Sequence, residues 1–481
     1  PIILRKFIIM MQRRDIIFWF RQDLRISDNP ALDSAARLGE ILPIYIFDDC
    51  APKPYQIGSV SKLWLHHSLT KLNKSLDNKL NFYTGNASDI ISKLLKKHKI
   101  TKICWNKCFE PWHVQQEQAV KDVCEQHGAK WKIFNSNHLW SPNEVLKDDG
   151  SYYKVFTAYK NKARTVPART CLGKTPNLDC IKDSSNKTKL TDLDLIPDHK
   201  WYQKIEKLSD VGEDAAHDKV DLFIEEHLSG YKAGRDYPAL EQTSMLSPHL
   251  HFGEITPAQI LDSLRSFGEA SASDADKEHF LNELIWREFS VYLLHHFNTL
   301  HKDNFNSKFN NFGWKNSTAM FNAWRHGHTG YPFVDAGMRQ LWQTGYMHNR
   351  VRMVVASFLV KNLGIHWHKG RDWFWDCLVD ADLANNSASW QWVAGCGVDA
   401  APYFRIFNPT TQGQKFDAKG EYTRQFVPEL KNLPDKYLFE PWKAPVDILK
   451  SAGIVLGKTY PIPIVDLAET RERALDMYKE L

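Results

Sequence analysis

The sequence lacks the features of secreted, membrane-bound and metal-cluster proteins. Its eight cysteines form no C-x-x-C pair, and the closest spacings, Cys104 to Cys108 and Cys171 to Cys180, fit neither a zinc ribbon nor an iron–sulfur run. No apolar run reaches the roughly 18 residues of a membrane-spanning helix. The first apolar stretch is too short for a secretory signal. We therefore expect reduced thiols, no membrane partner and a cytoplasmic location.

A large excess of one charge is also missing. The chain has 62 basic and 57 acidic residues, which gives a formal net charge of +5. Proteins that hold a polyanion by charge alone are far more basic. A nucleic-acid partner fits this balance only where the basic side chains are concentrated locally.

Tryptophan, by contrast, is abundant, with 17 in 481 residues. Residues 373–412 combine closely spaced indoles with acidic and amide groups and end in an FRIFNP segment. Indoles pack well in a dry core, and they are also readily oxidised. Electron transfer is therefore one explanation of this segment beyond core filling.

The first part of the chain alternates short β-rich runs with helical stretches, which predicts a doubly wound, parallel α/β sheet. The predicted strands are Ile16 to Phe20, Ile41 to Phe47, Leu80 to Tyr83, Lys102 to Trp105 and Lys130 to Phe134. Over 59–76, apolar residues recur mostly three and four apart, which indicates a helix with one buried face. The fingerprint G-x-G-x-x-G does not follow the first strand, so this sheet lacks the usual dinucleotide signal.

The length favours two packing units, because single hydrophobic cores stop growing at about 250 to 300 residues. We assign 11–134 to the α/β domain, 135–214 to a polar connection between domains, and 215–475 to a larger all-helical domain. Helical periodicity in the last range covers 220–228, 257–267, 280–297, 319–325, 334–343, 349–362 and 372–380.

Polar groups stand at marked positions in the helical part. Ser247 before Pro248 predicts a capped helix start whose free N–H groups and neighbouring hydroxyls suit a phosphate, although such a start is usually only a cap. Glu283, Trp286 and Arg287 share one helix face, either as a binding group or as an ion pair beside a core indole.

Two arginines, Arg350 and Arg352, stand beside an apolar helix, which predicts one guanidinium turned inward and one outward. The inward one needs a carboxylate, for which Asp380 and Asp382 are candidates.

Seven motifs of the helical part occur in order: GRDYPA, TSMLSP, ELIWREF, TGYPFVDAGMRQL, MHNRVRM, DADLANNSASWQW and DAAPYFRIFNPTTQGQKFD. With RQDLRISDNPAL near the N-terminus they cover nearly the whole chain. On these motifs the sequence resembles class I cyclobutane pyrimidine dimer photolyases, of the photolyase/cryptochrome family. One such motif arises by chance, whereas seven in register hardly do.

The resemblance implies that FAD is bound in the helical domain and is active in its reduced form. Its binding residues would be Tyr231, Thr243, Ser244, Met245, Leu246, Ser247, Asn349, Arg352, Asp380, Asp382 and Asn386. Arg352 would pair with Asp380 beside the isoalloxazine, with Asp382 near the pyrimidine edge. Asn386 would face flavin N5, where a neutral amide accepts a hydrogen bond.

The resemblance also implies an electron-transfer triad of Trp390, Trp367 and Trp314, which passes electrons inward when resting flavin is photoreduced. No metal or general acid is implied, so the pair His366 and His368 is interpreted as a wet loop or a helix end.

On the substrate side, the resemblance implies an aromatic wedge of Trp286 and Trp392 against a flipped dimer. Glu283 and Asn349 would hydrogen-bond the pyrimidine edges, and Met353 would pack below them. Candidate phosphate or strand contacts are Arg235, Arg287, Arg350, Arg405 and Gln412, of which Arg235 has an alternative structural role.

The implied activity is light-dependent DNA repair, in which excited reduced FAD lends one electron to the dimer and two carbon–carbon bonds open. The implied partner is DNA that contains cyclobutane pyrimidine dimers. The protein would act as a monomer, associated with the nucleoid when bound to DNA. The alternative is a blue-light photoreceptor of the cryptochrome class, where plant members usually carry Asp and animal members Cys in place of Asn386.

A second, antenna chromophore is left open by the sequence. Folate-binding members carry an Asn-Glu pair where this chain has Trp112 and His113, although Lys302 matches a folate-contacting lysine. The alternatives are 5,10-methenyltetrahydrofolate, 8-hydroxydeazaflavin, another chromophore or an empty pocket.

Overall fold

The computed structural model describes residues 15–197, 205, 210–267 and 272–481. The stretch before residue 15, where the α/β domain was predicted to begin, lies outside the described residues. Along these ranges, no helix combines the length and the apolar character that crossing a bilayer requires. All eight cysteines are free thiols, as predicted.

The N-terminal part is built on a five-stranded parallel sheet in the order β3-β2-β1-β4-β5. The strands are β1 (Ile16–Phe20), β2 (Ile41–Phe47), β3 (Asn81–Thr84), β4 (Lys102–Asn106) and β5 (Lys130–Phe134). Helices α1 (Pro30–Ala36), α2 (Ser59–Ser75), α3 (Ala87–His98) and α4 (Pro111–Gln126) connect them. The predicted doubly wound sheet is confirmed, with strand ends within one residue of the prediction.

Alternation along β1 explains why both faces of the sheet are covered. Phe18 and Phe20 pack in one core cluster and Ile17 and Trp19 in another, because successive side chains of a strand point to opposite faces. The polar stretch that follows β5 includes the helix α5 (Phe156–Ala163) and returns to the sheet where Cys180 forms a parallel bridge with Ile41.

The rest of the described chain is helical, as predicted. Its helices are α6 (Glu213–Leu222), α7 (Tyr231–Gly234), α8 (Ser247–Phe252), α9 (Pro257–Phe267), α10 (Asp274–His296), α11 (Thr318–Arg325), α12 (Pro332–Thr344), α13 (Asn349–Ser357), α14 (Trp367–Cys377), α15 (Leu383–Ala394), α16 (Pro409–Phe416), α17 (Glu421–Phe426), α18 (Asp435–Leu438), α19 (Val446–Ser451) and α20 (Leu467–Lys479). Short 3-10 helices cover Pro142–Glu144, Leu190–Leu193, Ser307–Asn311, Pro428–Leu430 and Pro441–Lys443. The largest core cluster lies among α12 to α15 and brings the helices of the candidate site together.

Several helix predictions were wrong at their ends. The helices predicted over 220–228 and 280–297 begin earlier, at Glu213 and Asp274. The helix predicted over 372–380 begins at Trp367, because the side chain of His366 accepts the backbone N–H of His368 and caps it. The helix predicted over 349–362 is confirmed, as α-helix to Ser357 and as π-helix over Phe358–Asn362. Lys361, in this π-helical turn, is buried.

Candidate active site

The centre of the site is an ion pair between α13 and the loop before α15. The guanidinium of Arg352 lies 3.0 Å from a carboxylate oxygen of Asp380, which the sequence predicted. The hydroxyl of Ser247 donates to Asp380 at 2.6 Å. Arg352 also lies over the ring of Tyr346, which hydrogen-bonds to Thr243. The segment before α8 and the Arg352–Asp380 pair therefore form one connected cluster.

The predicted cap at Ser247 was wrong. Leu246 occupies the N-cap position, Ser247 is the first residue of the helix, and no side chain caps it. Met245, just before, has a positive φ of 52° and is exposed. Ser244 is partly accessible and Ser247 is exposed. Accessible hydroxyls beside a guanidinium are a donor set that fits the diphosphate of FAD.

Asp382 caps α15 by accepting the backbone N–H of Asn385 at 2.8 Å. Its other oxygen lies 3.6 Å from Nδ1 of His251. Burial raises the pKa of Asp382, but the nearby His251 and the backbone N–H of Asn385 together outweigh burial, so the pKa is lowered overall. The carboxylate is thus kept ionised at the mouth of α15.

Asn386, one turn into α15, is 9% exposed. Its amide group donates to the backbone carbonyl of Arg371 at 3.1 Å. This bond fixes the amide and does not use its oxygen, which is the acceptor that a flavin N5–H requires. The contact of Asn386 with flavin N5 stays a prediction.

Tyr231 and Glu283 meet through Arg235. The guanidinium of Arg235 forms an ion pair with Glu283 and lies 5.4 Å from the ring centroid of Tyr231. Burial lowers the pKa of Arg235, but the charge and hydrogen bond of Glu283, with smaller contributions from Tyr231 and Asp236, together outweigh it and the net pKa is raised. Arg235 therefore has a structural partner, which was one of its two predicted roles.

Of the three predicted triad indoles, Trp390 and Trp367 are buried and Trp314 is partly exposed. Trp390 is 2% exposed, and Trp367 is fully buried. Trp390 packs on the helix of Trp367, where a Cβ at Gly370 would lie only 2.1 Å from its ring. The ring of His366 lies between the other two indoles, with centroid distances of 4.8 Å to Trp314 and 5.7 Å to Trp367.

Of the two interpretations of the histidine pair, a wet loop or a helix end, the structure confirms the helix end. His366 does stand at a helix end, but neither His366 nor His368 is fully wet. Burial lowers the pKa of His366 to about 4 and, with the charge of Arg371, that of His368 to about 3. Both rings are therefore neutral at physiological pH.

The predicted wedge residue Trp286 stacks face to face on Phe156, with centroids 3.6 Å apart. The backbone N–H of Phe156 donates to Asp399 at 2.9 Å, which ties this stack to the loop after α15. Trp392 is partly buried against the core of the helical part. Asn349 is exposed, and Met353 one turn along is partly buried.

The basic side chains predicted as strand contacts have different surroundings. Arg350 pairs with Asp236 at 2.6 Å, so the prediction of one inward and one outward guanidinium was wrong. Both arginines face carboxylates. Arg287 donates to the backbone carbonyls of Asn137 and Leu250.

Two further predicted DNA contacts, Arg405 and Gln412, lie after α15 in the chain. Arg405 is exposed. Gln412 has a buried oxygen with no partner among the described residues. For these side chains, as for Arg287, contact with DNA stays a prediction.

Sequence reasoning missed two side chains at this site. Arg371 stands four residues after Trp367 and lies over its ring, a spacing that could have revealed the contact. Trp324 contacts Trp390 edge-on at 6.2 Å from a different helix. No local pattern in the sequence indicates the second contact.

The positions named for an antenna lie beyond the carboxyl end of β4. Trp112 is buried and stacks on Tyr55, and His113 lies 3.1 Å from Glu110. Lys302 is exposed. These contacts do not identify a second chromophore.

Comparison with known proteins agrees with this architecture. Residues 280–480 match the FAD binding domain of DNA photolyase, and residues 16–177 match DNA photolyase. The deoxyribodipyrimidine photo-lyase of Agrobacterium fabrum is 44% identical over 469 residues, with 96% of this chain and 97% of that protein covered.

The chain belongs to the photolyase/cryptochrome family. Cryptochrome-1 of Arabidopsis thaliana is 34% identical, with 95% of this chain and 69% of that protein covered. A bacterial class III photolyase from Agrobacterium tumefaciens superposes with a TM-score of 0.93 at 43% identity, with 97% of each chain covered. The chain is thus an FAD-binding enzyme of the photolyase type.

Proposed function

We propose that this photolyase-type enzyme repairs cyclobutane pyrimidine dimers in DNA with light. When bound, reduced FAD supplies the photoexcited electron that splits the dimer. The observation that carries the proposal is the composition of α15 and its cap. In this proposal Asp382 and Asn386 bind the flavin, Trp390 supplies it with electrons, and Trp392 contacts the flipped base. One helix thus combines cofactor, electron and lesion residues.

The residues that would hold the cofactor follow from the connected cluster. Thr243, Ser244 and Ser247 offer hydroxyls to the diphosphate, and Arg352 is held by Asp380 beside them. Asn386 offers an amide oxygen, fixed in place by the carbonyl of Arg371. Tyr231 and Leu246 are buried and provide apolar surface.

The residues that would hold the lesion lie around the Trp286–Phe156 stack. Trp286 and Trp392 offer indole faces to a base taken out of the helix, and Glu283 and Asn349 offer polar groups to its edge. Flipping a dimer costs less than flipping a normal base, because its pairing and stacking are already damaged. Damage thus supplies part of the selectivity.

Asn386 favours repair over a signalling role, because plant cryptochromes usually carry Asp and animal ones Cys at this position. Within the photolyases, the motifs predicted class I, whereas the similar Agrobacterium structure is named class III. Its TM-score of 0.93 at 43% identity favours class III. We further propose that the protein is a monomer and acts in the cytoplasm. Size-exclusion chromatography of the purified protein tests the oligomeric state.

The test is light-dependent repair by purified protein. Absorption first shows whether flavin is bound. The flavin is then reduced chemically, and thymine-dimer DNA is added in the dark or under blue light. Restored monomers only in the illuminated sample support the proposal. Bound, photoreducible flavin without repair of duplex or single-stranded dimers would replace it with a cryptochrome-like photoreceptor.

A further inference from the structure

The surroundings of Trp367 differ from those of the two indoles beside it in the proposed triad. The guanidinium carbon of Arg371 lies 5.1 Å from the Trp367 ring centroid. Across the described part of the chain, no lysine or arginine lies over the ring of Trp390 or Trp314 in this way. The middle indole alone has a cation on its face.

Arg371 is locked in this position. It is 4% exposed, donates to the backbone carbonyl of His301, and has the ring of Tyr55 at 5.1 Å on another side. Its Nε and one terminal nitrogen bind Asp372 at 2.9 and 2.6 Å. The side chain of Asp372 is 36% exposed, so water screens its charge more than that of the buried guanidinium. The field at Trp367 therefore stays positive.

The N–H group of Trp367 has an unreactive partner. It donates to Oδ1 of Asn304 at 2.8 Å. The amide nitrogen of Asn304 donates in turn to Asn310 at 2.8 Å, which fixes the oxygen towards the indole. An amide oxygen accepts a hydrogen bond but is too weak a base to remove the proton.

The neighbouring histidines are also weak bases. The ring of His368 lies 4.2 Å from that of Trp367, and the ring of His366 lies 5.7 Å away. Burial lowers the pKa of His368 to about 3 and that of His366 to about 4. Neither ring readily takes a proton from an oxidised indole.

We infer that Arg371 and Asn304 make Trp367 a transit position for charge, where an oxidised indole neither rests nor loses its proton. The inference rests on the proposed function, in which these indoles carry electrons. One electron moves from Trp314 to oxidised Trp367, which returns to the neutral indole. Trp314 is partly exposed, and its N–H donates to the backbone carbonyl of Phe309 at a long 3.3 Å, so oxidised Trp314 then releases this proton to water. An added thiol restores Trp314 by giving it a hydrogen atom.

The first experiment gives Trp367 a base. Flash spectroscopy of FAD-loaded protein follows the distinct absorption bands of protonated and deprotonated indole radicals. Trp314→Phe stops the charge at Trp367, and Asn304→Asp is added to this background. We expect deprotonated Trp367 radical only with the added carboxylate, with a lifetime longer by about tenfold or more. Equal deprotonation with Asn304 intact would overturn the inference.

The second experiment changes the charge. Arg371→Met should lengthen the lifetime of oxidised Trp367 in the intact triad by about tenfold, whereas Arg371→Lys should stay within about threefold of the unchanged protein. Asp372→Asn removes the negative charge beside Arg371 and should shorten the lifetime of oxidised Trp367. This variant provides the test if Arg371→Met does not fold. Equal lengthening by Met and Lys would indicate lost packing and overturn the inference, as would no change with Met.

Two measurements separate this inference from the proposed function. FAD content should be unchanged in every variant, because Asn386 binds the backbone carbonyl of Arg371 and not its side chain. If the unsubstituted protein binds FAD but no indole radical appears after the flash, the triad itself is wrong. If radicals appear and only the variants behave otherwise, the triad stands and the roles of Arg371 and Asn304 fail.

Discussion

Glu283 forms an ion pair with Arg235 and still has 35% of its side chain exposed. The pair holds one side of the carboxylate and leaves accessible oxygen for a second partner. Such a carboxylate is oriented before substrate arrives, which reduces the entropy lost on binding. This geometry fits a contact to a pyrimidine edge better than a surface ion pair with no further function.

Glu283→Ala should weaken binding of dimer-containing DNA by roughly tenfold to a hundredfold, the range of a hydrogen bond to a charged group. FAD content should not change. The matched control is Glu278→Ala on the same helix, whose carboxylate pairs with Arg164 at an exposed position. Dimer affinity and flavin absorbance are measured on both variants. Loss of FAD from the Glu283 variant would place this carboxylate at the cofactor.

Trp367→Phe should block photoreduction of oxidised flavin, because phenylalanine is much harder to oxidise than tryptophan. Repair with chemically reduced flavin should stay nearly intact, since the electron for repair does not pass through the triad. Trp342→Phe is a control, because Trp342 is 62% exposed and was not predicted to belong to the triad. Equal loss of photoreduction and repair in the Trp367 variant would contradict the assignment.

The sheet and the helical class could be predicted because each depends on a local period of apolar residues. That Arg352 needs a carboxylate could be predicted from its apolar helix, but this left Asp380 and Asp382 both open, and only the family resemblance implied Asp380. Contacts between residues far apart in the sequence could not be predicted. The stack of Phe156 on Trp286 joins two segments through a loop whose path no local pattern fixes, and Asp236, the partner of Arg350, lies more than a hundred residues away.

Repair should not strictly require an antenna chromophore, because the electron path needs only flavin and dimer. Protein reconstituted with FAD alone should repair dimers when the flavin is excited directly. The measurement compares repair per absorbed photon with and without added methenyltetrahydrofolate or 8-hydroxydeazaflavin. An added absorption band that raises repair would identify the antenna. No repair by the FAD-only protein would disprove the prediction.

The buried ammonium of Lys361 should make folding stability depend on pH. Lys361 is 1% exposed and donates to the carbonyl of Arg405 at 2.8 Å, and burial lowers its pKa to about 7 from 10.5. Between these two values the unfolded chain binds a proton that the folded protein does not, so stability rises with pH across this window and the gain is lost as pH falls to about 7. The slope contributed by one such group is at most about 1.4 kcal/mol per pH unit. Urea unfolding at several pH values between 7 and 10 should therefore show a steeper rise for the unsubstituted protein than for Lys361→Met. Parallel curves would show that Lys361 keeps its ordinary pKa in the folded state.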